Sequence, residues 1–136
     1  MSYATLTRMK THFDHEKLDV YREAIEFVSW VDKLLERVPK SLAVHNQLDR
    51  ASTSIPLNIA EGNGKYTAAD RCRYFDISRG SALECAACLD VLVAKRHIDS
   101  EDVGKALLVH IVSMLVGLIR NNSTNRVYET SSEYSK

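Results

Sequence analysis

The chain has no surplus of either charge: 18 Lys and Arg stand against 18 Asp and Glu in 136 residues. Proteins that coat nucleic acid through its phosphates carry a clear basic excess, so this balance argues against that role except through local patches. Cysteine is scarce and odd in number. Cys72, Cys85 and Cys88 fall in one helical-looking stretch and form no disulfide framework, so they read as buried free thiols in a reducing cytoplasm. The opening MSYATLTRMKTHF has no continuous apolar core of the secretory kind. The most apolar run, 106–119, is short for a bilayer span and is interrupted by His110 and Ser113. The expectation is a cytoplasmic protein without a membrane partner.

The motifs of helical enzymes are missing too. No Glu has a His three residues later, so the four-helix di-iron pattern is absent. Glu23 and Glu26 make a single acidic pair, half of what a helical metal-dependent nucleotide hydrolase needs. Cys85 and Cys88 lack the second ligand pair of a structural zinc, and neither His97 nor His110 supplies it in sequence. Gly62-Asn63-Gly64-Lys65 is too short for a phosphate loop and follows no strand. These absences together read as a non-enzymatic protein with no cofactor and no metal site.

What is present is helix. Hydrophobic residues make up 45% of the chain, enough for one domain to bury a core unaided. Leu18, Tyr21, Ile25, Val28, Val31 and Leu35 recur at helical steps over 16–38, with Pro39 as the stop. Ser41 is an N-cap residue type for a second helix over 41–62, with Val44, Leu48, Ala51, Ile55 and Ile59 on one face. Pro56 inside it predicts a kink or a loosened turn. Thr67 and Asp70 resemble a capping box opening a third helix that runs to 95. A fourth opens at Asp99 or Ser100, with Glu101 and Asp102 in its positive first turn, and ends near 120. Short connections between long helices predict an all-α, antiparallel up-down-up-down four-helix bundle over 15–120. Residues 1–14 read as a flexible arm and 121–136 as a disordered polar tail.

One bundle does not account for all the apolar surface. In the fourth helix Val103, Leu107, Met114 and Leu118 point one way, while Leu108, Val112, Val116 and Ile119 cover much of the rest. A helix of a monomeric bundle is polar behind its apolar stripe, so burial on two sides implies a homo-oligomer. Phe27, Trp30 and Leu34 form a patch at the edge of the charged face of the first helix, which adds a second possible interface; Leu108 and Val112 are the candidates on the fourth.

A polar stripe runs beside the apolar one on the second helix. Gln47, Arg50, Ser54, Asn58 and Glu61 lie within roughly 80° of one another. On the third helix Arg73 and Glu84 fall among Ile77, Gly80, Cys88 and Val91, where a charge requires a partner. The economical reading is a structural network with Arg50–Glu84 and Glu61–Arg73 as pairs; removing Arg50 would then cost about 3 to 5 kcal/mol. The sharper reading is a ligand pocket lined by the same groups. Basic residues gather at Lys65, Arg71, Arg73, Arg79, Lys95 and Arg96 with Tyr66, Tyr74 and Phe75 interleaved, a mixture suited to RNA contact by charge and stacking.

The stretch from Gln47 to Gly64, QLDRASTSIPLNIAEGNG, resembles the signature of the bacterial four-helix-bundle family named for proteins encoded in 23S ribosomal RNA intervening sequences. Phe75, then Ile77 to Leu83 with Arg79-Gly80-Ser81, then Glu84 resemble that family's third-helix motif, and Leu18-Asp19-Val20-Tyr21 its opening. Asp49 departs from the pattern, where the family commonly has a basic residue. The resemblance spans about 13–120 and implies an antiparallel bundle, often a homopentameric ring. It also implies kinship with accessory proteins of diversity-generating retroelements, which act beside a reverse transcriptase and RNA. It implies no known reaction. The expected function is a ring-forming module that binds structured RNA or an RNA-handling protein such as a reverse transcriptase. The alternatives are a protein-binding scaffold with no nucleic-acid role and an enzyme of unfamiliar type using the second-helix stripe.

Overall fold

The computed structural model describes residues 11–134, with side-chain surroundings for 11–123. The expected arm therefore lies mostly outside the described residues, Arg8 and Lys10 included. A single 3-10 turn, Asp14–Lys17, leads into four helices: α1 (Asp19–Leu35), α2 (Ala43–Asn63), α3 (Ala68–Ala94) and α4 (Asp102–Tyr134). Among the described residues there is no strand. Each helix packs on its neighbours in the chain, α1 closes onto α4, and the diagonal pairs do not meet. The short connections 36–42, 64–67 and 95–101 require antiparallel neighbours, so the bundle is four-sided and the most extensive seams are those of α3 with α2 and α4.

The core face of α3 explains most differences from the sequence reading. Cys72, Phe75, Ser78, Ala82, Cys85, Leu89 and Leu92 are buried at three- and four-residue steps. Four of these are small or weakly apolar, which hid the stripe behind the bulkier Ile77 and Val91 on the wet side. Small side chains let α2 come close, and Ser78 Oγ donates to the buried Ile55 carbonyl at 2.9 Å. Gly62 serves the same end at the bottom of the α2–α3 seam. A Cβ there would sit 2.9 Å from the Phe75 ring.

On α1 the buried residues are Val20, Ala24, Phe27, Val31, Leu34 and Leu35. Phe27 and Leu34 are thus core, which corrects their assignment to an outer patch. Apolar residues occupy two adjacent stripes of this helix, and periodicity alone does not say which one faces inward. Trp30 is half-buried and stacks on Phe27, with ring centroids 5.8 Å apart. Its outer edge lies over Gly104 of α4. It anchors the chain to itself.

The caps divide similarly. Thr67 accepts from the Asp70 amide at 3.1 Å, as its position suggested. Leu42, not Ser41, precedes α2, and it makes no side-chain cap. One unbroken helix runs through Pro56, whose ring is buried. α1 stops at Leu35, and its last turn tightens through Arg37 N–H to Leu34 O and Val38 N–H to Leu35 O before Pro39. α3 ends with Arg96 N–H bonded to Val93 O and His97 N–H to Leu92 O, and Arg96 itself is left-handed at φ 66°.

α4 is longer than expected. It continues to Tyr134, through a stretch read from the sequence as a disordered tail. No Pro or Gly follows Gly117 to stop it. The centre of its core face is Leu108, Ile111 and Leu115, flanked by half-buried Leu107, Val112, Met114 and Leu118. Val103 and Val109 are exposed. By length and composition 102–123 is long and apolar enough to cross a membrane, which corrects the expectation of too short a run. Within the bundle its Ile111 and Leu115 are fully buried against the other helices.

Two stability changes follow. A Cβ on Gly104 would fall 2.5 Å from Trp30 Cη2 and 2.7 Å from Leu89 Cδ1. Gly104→Ala therefore lowers the urea unfolding free energy by about 1–3 kcal/mol, against the gain of about 0.5–1 kcal/mol normal for a helix, and the loss shrinks in a Trp30→Phe background. Arg96→Gly relieves a left-handed non-glycine residue and raises the unfolding free energy by about 0.5–1 kcal/mol in the same assay.

Candidate functional site

The polar stripe of α2 borders an open groove of about 360 Å³ lined by Gln47, Arg50, Ala51 and Ser54 of α2 and by Ser81 and Glu84 of α3. Its floor is a short hydroxyl ladder. Asn58 Nδ2 donates to Ser54 Oγ and to Ser54 O, both at 2.9 Å, and Ser54 Oγ lies 2.8 Å from Ser81 Oγ. With Asn58 supplying a proton to the Ser54 oxygen, the Ser54 hydroxyl is free to donate to Ser81. Ser52 and Thr53 both bond back to Asp49 O, at 3.0 and 2.9 Å.

The charged members of the stripe stand at the rim in water. Arg50, Glu61, Arg73 and Glu84 are all exposed, and no ion pair joins Arg50 to Glu84 or Glu61 to Arg73. Glu61 pairs with Lys65 of the loop that follows α2 at 3.5 Å, and Arg73 lies over the Tyr74 ring at 5.0 Å. The expected buried network is corrected on this point. Because the core stripe of α3 is the small-residue one, positions 73 and 84 turn to solvent, where a charge needs no partner.

The two groove serines are engaged in the ladder, and the titratable lining residues are Arg50 and Glu84. The serines face an amide and each other, with no imidazole or amine among the lining residues. Burial pushes the Cys85 and Cys88 thiols upward, with the Glu84 carboxylate adding to the effect, so the reactive thiolate is suppressed. Cys72, Cys85 and Cys88 are buried and free. Among the described residues no group of three or more His, Cys, Asp or Glu is placed to hold a metal.

A second groove, of about 390 Å³, lies between α3 and α4 and is apolar. Ala82, Leu83 and Ala86 face Leu108, Val109 and Val112 across it, with Lys105 and Ser113 at its margin. Leu83 is 51% and Val109 70% exposed, whereas Leu108 is buried and Val112 half-buried. Burial within the chain withdraws Leu108 from the outer surface, and Leu83 and Val109 are the groove residues that stand exposed there. The signal for Val109 was in the sequence, since α4 is apolar over most of its circumference, but it did not say which residues the bundle itself would cover; Leu83 of α3 carried no such signal. Lys105 bridges Asp90 and Glu101, and the Asp90 hydrogen bond raises its pKa. On the opposite side His110 Nδ1 lies 2.7 Å from the Glu23 carboxylate, tying α4 to α1.

The basic residues do not form one patch. Lys65 and Arg71 lie at one end of α3 and Lys95 and Arg96 at the other, roughly 35 Å away at about 1.5 Å per residue. Arg79 sits between and is engaged by Asp76 at 3.2 Å. Arg71 is a structural clamp: its Nη1 donates to Lys65 O and Tyr66 O, and its Nε donates to Asn122 Oδ1, each at 2.8 Å. Asn122 is buried and donates in turn to Leu118 O. The sequence reading left Asn122 in a tail, and no local pattern marks it.

These features define an antiparallel four-helix bundle that carries a conspicuous polar motif on its second helix. A sequence model described as "23S rRNA-intervening sequence protein" matches residues 16–117, and the chain belongs to that family. A crystal structure of a protein of unknown function from the S23 ribosomal protein family of Bacteroides thetaiotaomicron VPI-5482 has the same fold. It is 23% identical, with a TM-score of 0.66 over 74% of this chain and 97% of that one. No curated protein matches the chain.

Since the rim charges are solvated, Arg50→Ala and Glu84→Ala each change the unfolding free energy by less than about 0.5 kcal/mol, and the double variant shows their sum. Ser54→Ala, which breaks the ladder, costs about 1 kcal/mol. Chemical denaturation measures all four.

Proposed function

We propose that the chain is a non-enzymatic module that assembles into a homo-oligomeric ring, a pentamer by family resemblance, and presents repeated surfaces to RNA or to an RNA-handling protein such as a reverse transcriptase. The observation that carries the assembly is the α3–α4 groove, where Leu83 and Val109 stand in water beside an apolar cleft of about 390 Å³. Leaving such a face uncovered is unfavourable by about 25 cal/mol per Å² of apolar surface, and a second copy of the chain covers it. The RNA part is supported by a local basic excess, six Lys and Arg against four acids over 65–96, in a chain of zero net charge. Few phosphate contacts per subunit become useful when a ring repeats them.

Light scattering on the purified chain is the test. The mass is expected at a multiple of 15.3 kDa, five for the pentamer, at micromolar concentration. Leu83→Glu with Val109→Glu places two charges in the contact and returns the mass to a monomer, with helical circular dichroism unchanged because both positions are exposed. A monomeric parent chain would overturn the assembly. An oligomer indifferent to the double change would move the contact to another face.

A further inference from the structure

The loop between α2 and α3 holds Tyr66, whose side chain is 99% exposed. Its backbone is fixed on every side. Gly64 N–H bonds to Ala60 O and Glu61 O, and Lys65 N–H to Gly62 O, each at 3.2 Å. Thr67 caps α3, and the Arg71 guanidinium grips the carbonyls of Lys65 and Tyr66 while anchoring to buried Asn122 of α4. A rigid backbone thus holds an aromatic ring that packs on nothing.

Lys65, its neighbour in the chain, reaches a second, half-buried aromatic, Tyr74 of α3. The Tyr74 ring has Lys65 Nζ and Arg73 Cζ each 5.0 Å from its centroid, so two cations are held at an aromatic surface, one of them from the residue that precedes Tyr66. Alternating cations and ring faces are what a single-stranded nucleic acid meets on its binding proteins: bases stack on the rings, and cations take the phosphates between them. A protein-docking aromatic sits instead within an apolar surround, whereas Tyr66 is flanked by Lys65, Thr67 and the α3 first-turn residue Asp70.

We propose that this loop is a stacking platform for unpaired nucleotides of single-stranded RNA, with Tyr66 as the stacking face and Lys65 and Arg73 as phosphate contacts. The inference rests on the RNA reading of the function and locates it at this end of the bundle, away from Lys95 and Arg96. Glu61, paired with Lys65, and Asp70 hold the local charge near neutral, so stacking outweighs charge here. The salt dependence is correspondingly shallow, with a log–log slope near −1.4 per subunit for about two phosphates, at about −0.7 each.

Fluorescence anisotropy with short labelled oligouridine and oligoadenosine strands, on the full chain, tests the platform. Tyr66→Ala is expected to weaken binding by about tenfold to a hundredfold, as loss of one stacked base does, while Tyr66→Phe preserves it. Lys65→Ala with Arg73→Ala removes the salt slope. The Tyr66 ring packs on nothing, so thermal unfolding of its variants matches the parent. If Tyr66→Ala binds as tightly as the parent while neutralising Lys95 and Arg96 abolishes binding, the platform is overturned and the RNA reading stands. If the parent binds neither strand at low salt, the RNA reading falls and the platform falls with it.

Discussion

The close approach of α3 to both of its neighbours is the constraint on which the rest of the bundle depends. Ser78, Ala82 and Cys85 form the middle of its buried face, and Gly62 and Gly104 supply the missing Cβ atoms where α2 and α4 close in. Interiors are packed as densely as organic crystals, so helices brought this near leave little room for larger side chains. Large residues are displaced to the flanks, where Phe27, Phe75, Ile55 and Ile111 fill the wider spaces. The Ser78 hydroxyl is tolerated at zero exposure because the Ile55 carbonyl accepts its proton.

That packing decides what remains outside. With the small-residue stripe inward, Ile77, Leu83, Glu84 and Val91 turn outward on α3, and Val103 and Val109 do so on α4. The polar stripe of α2 lands at a seam, and only its middle members, Ser54 and Asn58, are drawn into hydrogen bonds across or along the helices. The family motif therefore combines two roles. Ile55 and Gly62 build the α2–α3 contact and Pro56 and Ile59 are buried beside them, while Arg50 and Glu61 keep charges at the rim.

The two surfaces differ in kind. The α3–α4 groove is apolar, and in the proposed assembly its exposed aliphatic side chains are covered by a second copy of the chain. The α2–α3 loop is polar around a single presented ring and suits a ligand that comes and goes. Arg71 ties that loop to the far part of α4 through Asn122, so the loop is held by a residue of α4 that lies past residue 117, where the family match ends.

Four helices, their antiparallel order, the buried face of α2 and the Thr67 cap were all legible in the sequence, because a 3.6-residue period and a capping hydroxyl are local properties of the chain. So were the α2 polar stripe and the excess apolarity of α4, which are likewise matters of angle and composition along one helix. Which of two adjacent apolar stripes on α1 faces inward was not legible, nor that Arg73 and Glu84 lie in water, nor that Asn122 holds Arg71. Each of those depends on what stands opposite. A side chain is buried by its neighbours in space, and those neighbours are set by how closely small residues let the helices approach, a quantity that no single helix contains.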